Sequence, residues 1–241
     1  MTDVTAGVEY NINVDGNSFL LNEKKFKLLT YIDESGSITE AAKATKISYR
    51  TALNYIDKME TTLDISIVST KKGGSGGGGS TSLTPEGKRI LKECKKINAI
   101  MELHRETNEL EAEIIDMNKE TGDMILKISD FEITLPINKK YSIGDKILAL
   151  ISYDNISITL RPHKSSMYKA LEPQNSSTRN VLTGVVTELK LEDETVRVKI
   201  SVGDVELFAD ITLSAAKDLN LELGKDVFIS FKALSIATLK L

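Results

Sequence analysis

Hydrophobic positions change their spacing several times along this chain, and each change marks a different kind of element. Val8, Tyr10, Ile12 and Val14 alternate with polar residues, Asp15-Gly16-Asn17 interrupts them, and Phe19 and Leu21 resume the alternation. A two-residue period broken by Asp-Gly predicts a β-hairpin. From Asn22 the spacing lengthens, so that Phe26, Leu28, Leu29 and Ile32 share one side of a helix.

The next stretch, from Gly36 to Leu53, reads as two short helices across a tight turn. Ser37 or Thr39 caps the first, which buries Ile38, Ala41 and Ala42, side chains small enough for a second helix to cross closely. Ser48 caps the second, with Ala52, Leu53, Ile56 and Met59 predicted inward and Tyr49, Arg50, Thr51 and Asn54 outward. This is the pattern of a helix-turn-helix, which delivers a polar helix to the major groove of DNA. Ile65, Ile67 and Val68, then the run from Gly73 to Ser80, then Leu83, predict two strands and a loop, a wing, with Lys71 and Lys72 in reach of phosphates. A phosphate-binding Walker loop needs a lysine near its end, and here Ser80 and Thr81 follow Gly79. A flexible linker is the alternative reading of the glycines.

From Glu86 to about Ile114 the pattern reads as a helix, with Ile90, Cys94, Ile97 and Met101 in a stripe suited to pairing with a second copy. His104 continues it as a seam or surface residue, and His163 reads as a loop residue. Beyond this helix the two-residue period returns. Strands are predicted over 124–128, 131–135, 146–151, 156–160, 181–188, 196–201, 205–211, 227–231 and 236–239, a density that suggests small barrels. This strand-rich part also contains an internal repeat. Gly144-Asp145-Lys146-Ile147 before Ile156 matches Gly224-Lys225-Asp226-Val227 before Ile236.

Composition narrows the class. The net charge of −4 argues against a nucleic-acid partner only at first sight, because phosphate contacts depend on a local field that decays over about 10 Å. Between Lys43 and Lys92 basic residues outnumber acidic ones, with Lys46, Arg50, Lys58, Lys71 and Lys72 among them. One cysteine rules out an internal disulfide and a cysteine-rich zinc site, and no metal ligand set is visible. No apolar run spans a bilayer and no export signal is visible, so a cytoplasmic location without membrane attachment is expected. No nucleophile motif, metal-spaced cluster or dinucleotide fingerprint occurs, so no enzyme is expected.

The segments GSITEAAKATKISYRTALNYIDKME, KKGGSGGGGS and LTPEGKRIL resemble the N-terminal winged helix of the molybdate-responsive ModE-type regulators. Family members usually carry an aromatic residue where Leu53 stands and often an asparagine where Glu60 stands. Ser177-Thr178-Arg179-Asn180-Val181-Leu182-Thr183-Gly184 resembles the signature of the molybdate-binding Mop or TOBE domain, and Phe231-Lys232-Ala233-Leu234-Ser235 its lysine-bearing last strand. The resemblance implies an oxyanion site of Ser177, Arg179, Asn180, Lys232 and Ala233, with further donors from the turn of Thr212, Ser214 and Ala215, where Ala215 stands at a usual serine. It also implies a pocket shared between subunits, in which Lys232 of one chain completes the site of Ser177 and Arg179 of its partner. Molybdate and tungstate are already four-coordinate, so hydroxyl, N–H and cationic donors hold them from outside. In the first copy the register that yields Lys232 and Ala233 yields Ser152 and Tyr153, followed by Asp154, whose carboxylate would repel a dianion. The first copy is therefore expected to be structural.

The fold class expected is α+β and multidomain. Residues 1–84 form a winged helix-turn-helix, 85–114 a dimerisation helix, 115–168 a first Mop-like barrel and 172–241 a second, oxyanion-binding one. The function expected is a homodimeric transcriptional regulator that binds a palindromic operator in double-stranded DNA and takes molybdate or tungstate as effector. Ser48, Tyr49, Arg50, Thr51, Asn54, Lys46, Lys71 and Lys72 are the expected DNA contacts. An oxyanion storage protein, or a winged-helix regulator whose barrels only dimerise, are the alternatives.

Overall fold

The computed structural model describes residues 7–71, 80–160 and 177–241. Lys72, the run Gly73–Gly79 and His163 lie outside the described residues. The chain divides into two units, Met1–Met101 and Glu102–Leu241, and the class is α+β.

In the first unit, β1 (Glu9–Val14) and β2 (Asn17–Asn22) form the expected hairpin, with Asp15 and Gly16 both at positive φ in its turn. Asn22 then caps α1 (Glu23–Ser35), its side chain accepting from the Lys25 N–H, and Gly36 ends it at φ 67°. Ser37 caps α2 (Ile38–Ala44) and Ser48 caps α3 (Tyr49–Leu63), each hydroxyl accepting an N–H that the helix leaves unpaired. Leu28, Leu29, Ile32, Ala41, Ala52 and Met59 make the core between these helices. Leu53 departs from expectation: it is 39% exposed, because the inward face of α3 runs through Ala52, Ile56, Met59 and Leu63.

The hairpin of β3 (Val68–Lys71) and β4 (Ser80–Leu83) follows, and Thr84 caps α4 (Pro85–Leu103). Gly87 is required here, since a Cβ on it would lie 2.3 Å from the Ile67 carbonyl oxygen. Helix α4 ends at Leu103, not near Ile114. Residues 107–114 belong instead to β5 (Thr107–Asn118), in which Asn108, Leu110, Ala112 and Ile114 are buried and Glu109, Glu111 and Glu113 face outward.

The second unit holds two copies of one motif. The first comprises β5, β6 (Asp123–Ile128), β7 (Phe131–Pro136), β8 (Lys146–Ser152) and β9 (Ser157–Leu160). The second comprises β10 (Asn180–Glu192), β11 (Thr195–Val202), β12 (Val205–Thr212), the short helix α5 (Leu213–Asp218), β13 (Asp226–Phe231) and β14 (Ile236–Lys240). The copies exchange their last strands. One sheet runs β14-β8-β5-β6-β7 and the other β12-β11-β10-β13-β9. Residues 115–168 and 172–241 therefore do not each complete a sheet of their own. The reason is physical: periodicity identifies a strand and its buried face, but not the ladder it will join.

The exchange is locked by polar contacts between the copies. Asn180, 3% exposed, accepts the Thr134 N–H at 2.7 Å and donates to the Thr134 carbonyl at 3.0 Å. Asn108, 4% exposed, makes the matching pair with Phe208, at 2.7 and 2.9 Å. Each asparagine thus pairs with the outermost strand of the other copy's sheet. Arg197 adds a third lock: it holds Asp210 through two hydrogen bonds at 2.9 and 2.8 Å, pairs with Glu106, and lies 4.8 Å from the Tyr153 ring centre. Below these contacts one apolar core runs through both copies, including Ile114, Leu126, Ile133, Val198, Ile200 and Ile229.

Candidate functional site

Of the two sets of residues singled out in the sequence, the DNA-contact set lies in the first unit and the oxyanion set in the second. In the first unit, Lys46, Ser48, Tyr49, Arg50 and Asn54 are exposed around the start of α3 and the turn before it, and Lys71 is exposed at the end of β3. Ser48 and Thr51 are occupied with each other: the Ser48 hydroxyl accepts the Thr51 N–H at 3.0 Å and lies 2.8 Å from the Thr51 hydroxyl. Thr51 is half-buried. Both are thus held in the cap, and the outer face of the helix is carried by Tyr49, Arg50, Leu53 and Asn54.

Glu60, noted in the sequence only as a departure from the family's usual asparagine, has a structural role here. Its Oε1 accepts the N–H groups of Ile67 and Val68 at 2.6 and 2.8 Å, which ties the end of α3 to the start of the β3–β4 hairpin. The signal was its position: a carboxylate one turn before the end of α3 cannot serve an N-terminal cap, and the nearest N–H groups without helical partners are those entering β3.

In the second unit, β10 pairs antiparallel with β13, Asn180 opposite Phe231. Arg179 precedes Asn180 and Lys232 follows Phe231, so the two cations stand at the same end of one ladder of a single chain, where Lys232 was expected to come from the partner. Ser177, Arg179 and Lys232 are exposed there, and Ala233 is buried in the turn that Lys232 begins. Asn180, also named for the oxyanion set, is buried beside them. Its amide oxygen and one amide hydrogen are spent on Thr134, which makes it the fastener that fixes where Arg179 stands.

Thr212, Ser214 and Ala215 lie elsewhere. Thr212 is opposite Thr195, and Thr195 opposite Glu192, at the far end of β10. Thr212 caps α5 through the Ala215 N–H at 3.2 Å, and its hydroxyl lies 3.0 Å from that of Ser214. The 13 residues of β10 separate this turn from Arg179. The expected oxyanion set is thus divided within one chain into a cationic half and a hydroxyl half.

The position in the first copy that corresponds to Lys232 is Ser152, which is buried and donates to the Asp154 carboxylate; His104 Nδ1 lies 3.2 Å from the same carboxylate. Tyr153 stacks on Phe208, ring centres 5.2 Å apart. The groove at this place, about 390 Å³, is lined by Glu102, Glu106, Asp154 and Asp210 together with Arg105 and Tyr153. It has the charge opposite to what a dianion requires. Among the described residues no His, Cys, Asp and Glu group suits a metal ion, and no helix is long and apolar enough to cross a membrane. Burial pushes the Cys94 thiol up to about 11, so it stays protonated and packs as an apolar group.

Comparison with known proteins assigns a class to the second of these places first. Residues 176–237, which hold Ser177, Arg179, Lys232 and the α5 turn, match the TOBE domain. Similarity then extends through both units. The chain is 28% identical to the molybdenum transport protein ModE of Azotobacter vinelandii over 90% of its own length and 64% of that protein's. It is 27% identical to the DNA-binding transcriptional dual regulator ModE of Escherichia coli (strain K12) over 87% of its length and 63% of that protein's. Against the molybdenum import ATP-binding protein ModC of Haemophilus ducreyi, identity is 28% over 46% of this chain and 29% of that protein. The chain therefore spans less than two thirds of the length of these relatives.

Proposed function

We propose that this chain is a DNA-binding transcriptional regulator that senses molybdate or tungstate. The first unit serves as a winged helix-turn-helix, with α3 in the major groove and the β3–β4 hairpin as its wing. The copies in the second unit serve as paired Mop-type barrels. The observation that carries the reading is the placement of Arg179 and Lys232 at one end of the β10–β13 ladder, beside Ser177, inside the TOBE segment. Two exposed cations and a hydroxyl suit a tetrahedral dianion, which needs charge and hydrogen-bond donors and no inner-sphere ligand.

Because Thr212, Ser214 and Ala215 stand at the far end of β10, a second copy of the chain supplies them to Arg179 and Lys232. Exposed Ile97, Ile100, Met101 and Leu103 on α4 support a homodimer, since an apolar stripe in water favours a partner. Ile90 and Cys94, the first half of that stripe, are buried in the chain's own core. A dimer presents two α3 helices to the half-sites of a palindromic operator. The anion shifts DNA affinity to the extent that it favours one arrangement of the dimer over another. A storage role leaves the α2–α3 arrangement without a use.

The test is gel retardation of duplex DNA from upstream of molybdate-transport genes, with and without molybdate. A molybdate-dependent change in wild type that Arg179→Ala abolishes, and DNA binding that Arg50→Ala abolishes while anion binding persists, are the expected results. DNA binding indifferent to molybdate and tungstate sinks the sensor half of the reading.

A further inference from the structure

Helix α3 carries one feature that its role as a polar reading helix does not require. Leu53 stands 39% exposed on its outer face, and Tyr49, one turn earlier, is 50% exposed. Residues four apart on a helix lie one above the other, so Tyr49 and Leu53 form an apolar ridge and Arg50 and Asn54 a polar ridge beside it. Lys46, Arg50 and Lys58 are exposed around these ridges and outnumber the one exposed carboxylate there, Asp57, which follows Leu53 one turn on. An apolar ridge with a net positive surround does not suit a protein partner's apolar core. It suits the floor of the DNA major groove, where phosphates flank base edges and the thymine 5-methyl group is the apolar feature on display.

We propose that Leu53 reads a thymine methyl in the major groove, and that Asn54 and Arg50 read an adenine and a guanine beside it. This rests on the DNA-binding reading above and adds which bases the helix selects. The spacing supports it. One helical turn advances 5.4 Å, and base pairs are stacked about 3.4 Å apart, so side chains one turn apart reach bases one or two steps apart. Asn matches adenine through its N6 and N7, and Arg matches guanine through its O6 and N7, each with two hydrogen bonds. The adjoining Leu53 then meets the methyl group of an A·T pair, either the one Asn54 reads or its neighbour. A leucine has no donor or acceptor, so its whole contribution to selectivity is this contact.

The experiment is selection of binding sites from a random duplex library by the full chain with molybdate present. The enriched duplex is then remade with deoxyuridine in place of each thymidine in turn, which removes the methyl and keeps the base pair. One position is expected at which uridine weakens wild-type binding about threefold to fivefold, the worth of one buried methyl. Leu53→Ala is expected to bind the thymidine and uridine duplexes equally. Leu53→Gln, another good helix former, replaces it if circular dichroism shows lost helix.

Wild type indifferent to uridine at every position overturns the proposal and leaves DNA binding standing. So does a Leu53→Ala protein that keeps the full thymidine preference, or a preference that disappears with Tyr49→Ala and not with Leu53→Ala. A library in which no duplex is enriched overturns the DNA-binding reading itself, and the proposal with it.

Discussion

Replacing Asn180 by alanine separates a fastener from a ligand. In the structure its amide bridges β10 of one sheet to β7, the outermost strand of the other, through the N–H and carbonyl of Thr134. Alanine removes two hydrogen bonds, each worth about 1 kcal/mol net, and leaves two half-buried backbone groups short of partners. The expected loss is about 2–3 kcal/mol. For a unit of about 140 residues this lowers Tm by roughly 8–12 °C. Asn108→Ala removes the matching bonds to Phe208 and is expected to lose a similar amount. Arg179→Ala, one residue away but exposed, is expected to leave Tm within about 2 °C. Scanning calorimetry of the full chain without oxyanion reads all three. An Asn180→Ala protein as stable as wild type, but unresponsive to molybdate, would refute the reasoning and return Asn180 to the ligand set.

Other substitutions test other parts of the account. Gly87→Ala forces the start of α4 away from Ile67 and is expected to lower stability of the first unit by at least about 1 kcal/mol, measured by urea unfolding. Arg197→Leu leaves Asp210, Glu106 and Glu192 facing one another around a side chain only 17% exposed, and is expected to destabilise by about 2–4 kcal/mol. Arg197→Lys rescues little of this, because it cannot hold Asp210 with two parallel bonds. Asp145 accepts from Lys240 and from the Ser142 N–H, and the Lys240 ammonium holds its pKa below the ordinary value. Its contribution is therefore present above the unfolded pKa, near 4, and lost as pH falls through the lower folded value. The stability gap between wild type and Asp145→Asn is expected to close toward pH 2.

Much of this fold was legible because its signals are local. The caps Asn22, Ser37, Ser48 and Thr84 stand at the helix starts, and strands β6 to β14 lie within a few residues of the alternations that announce them. Strand β5 was not legible as a strand up to Ile114. Its outward residues are Glu109, Glu111 and Glu113, good helix formers that follow a helix, and propensity hid a two-residue period that tertiary burial enforces. The strand exchange was hidden for a different reason, since which ladder β9 and β14 join is decided by packing between distant segments. At the oxyanion end, residue types singled out Arg179 and Lys232, yet they could not reveal that one chain brings both to the same end of one ladder, that Thr134 claims Asn180 or that the Thr212 turn lies at the other end of β10. Leu53 was assigned to the core because leucine on an amphipathic helix usually faces inward; the narrow buried stripe through Ala52, Ile56 and Met59 leaves it outside.

The central claim is that Arg179 and Lys232 hold a tetrahedral dianion. Isothermal titration of the full chain with molybdate, tungstate and sulfate tests it most directly, alongside the Arg179→Ala and Lys232→Ala proteins. Saturable heat is expected from molybdate or tungstate at one anion per chain, weaker heat from sulfate, and none from either variant although both melt like wild type. Wild type that takes up neither molybdate nor tungstate, or variants that titrate as wild type does, would contradict it.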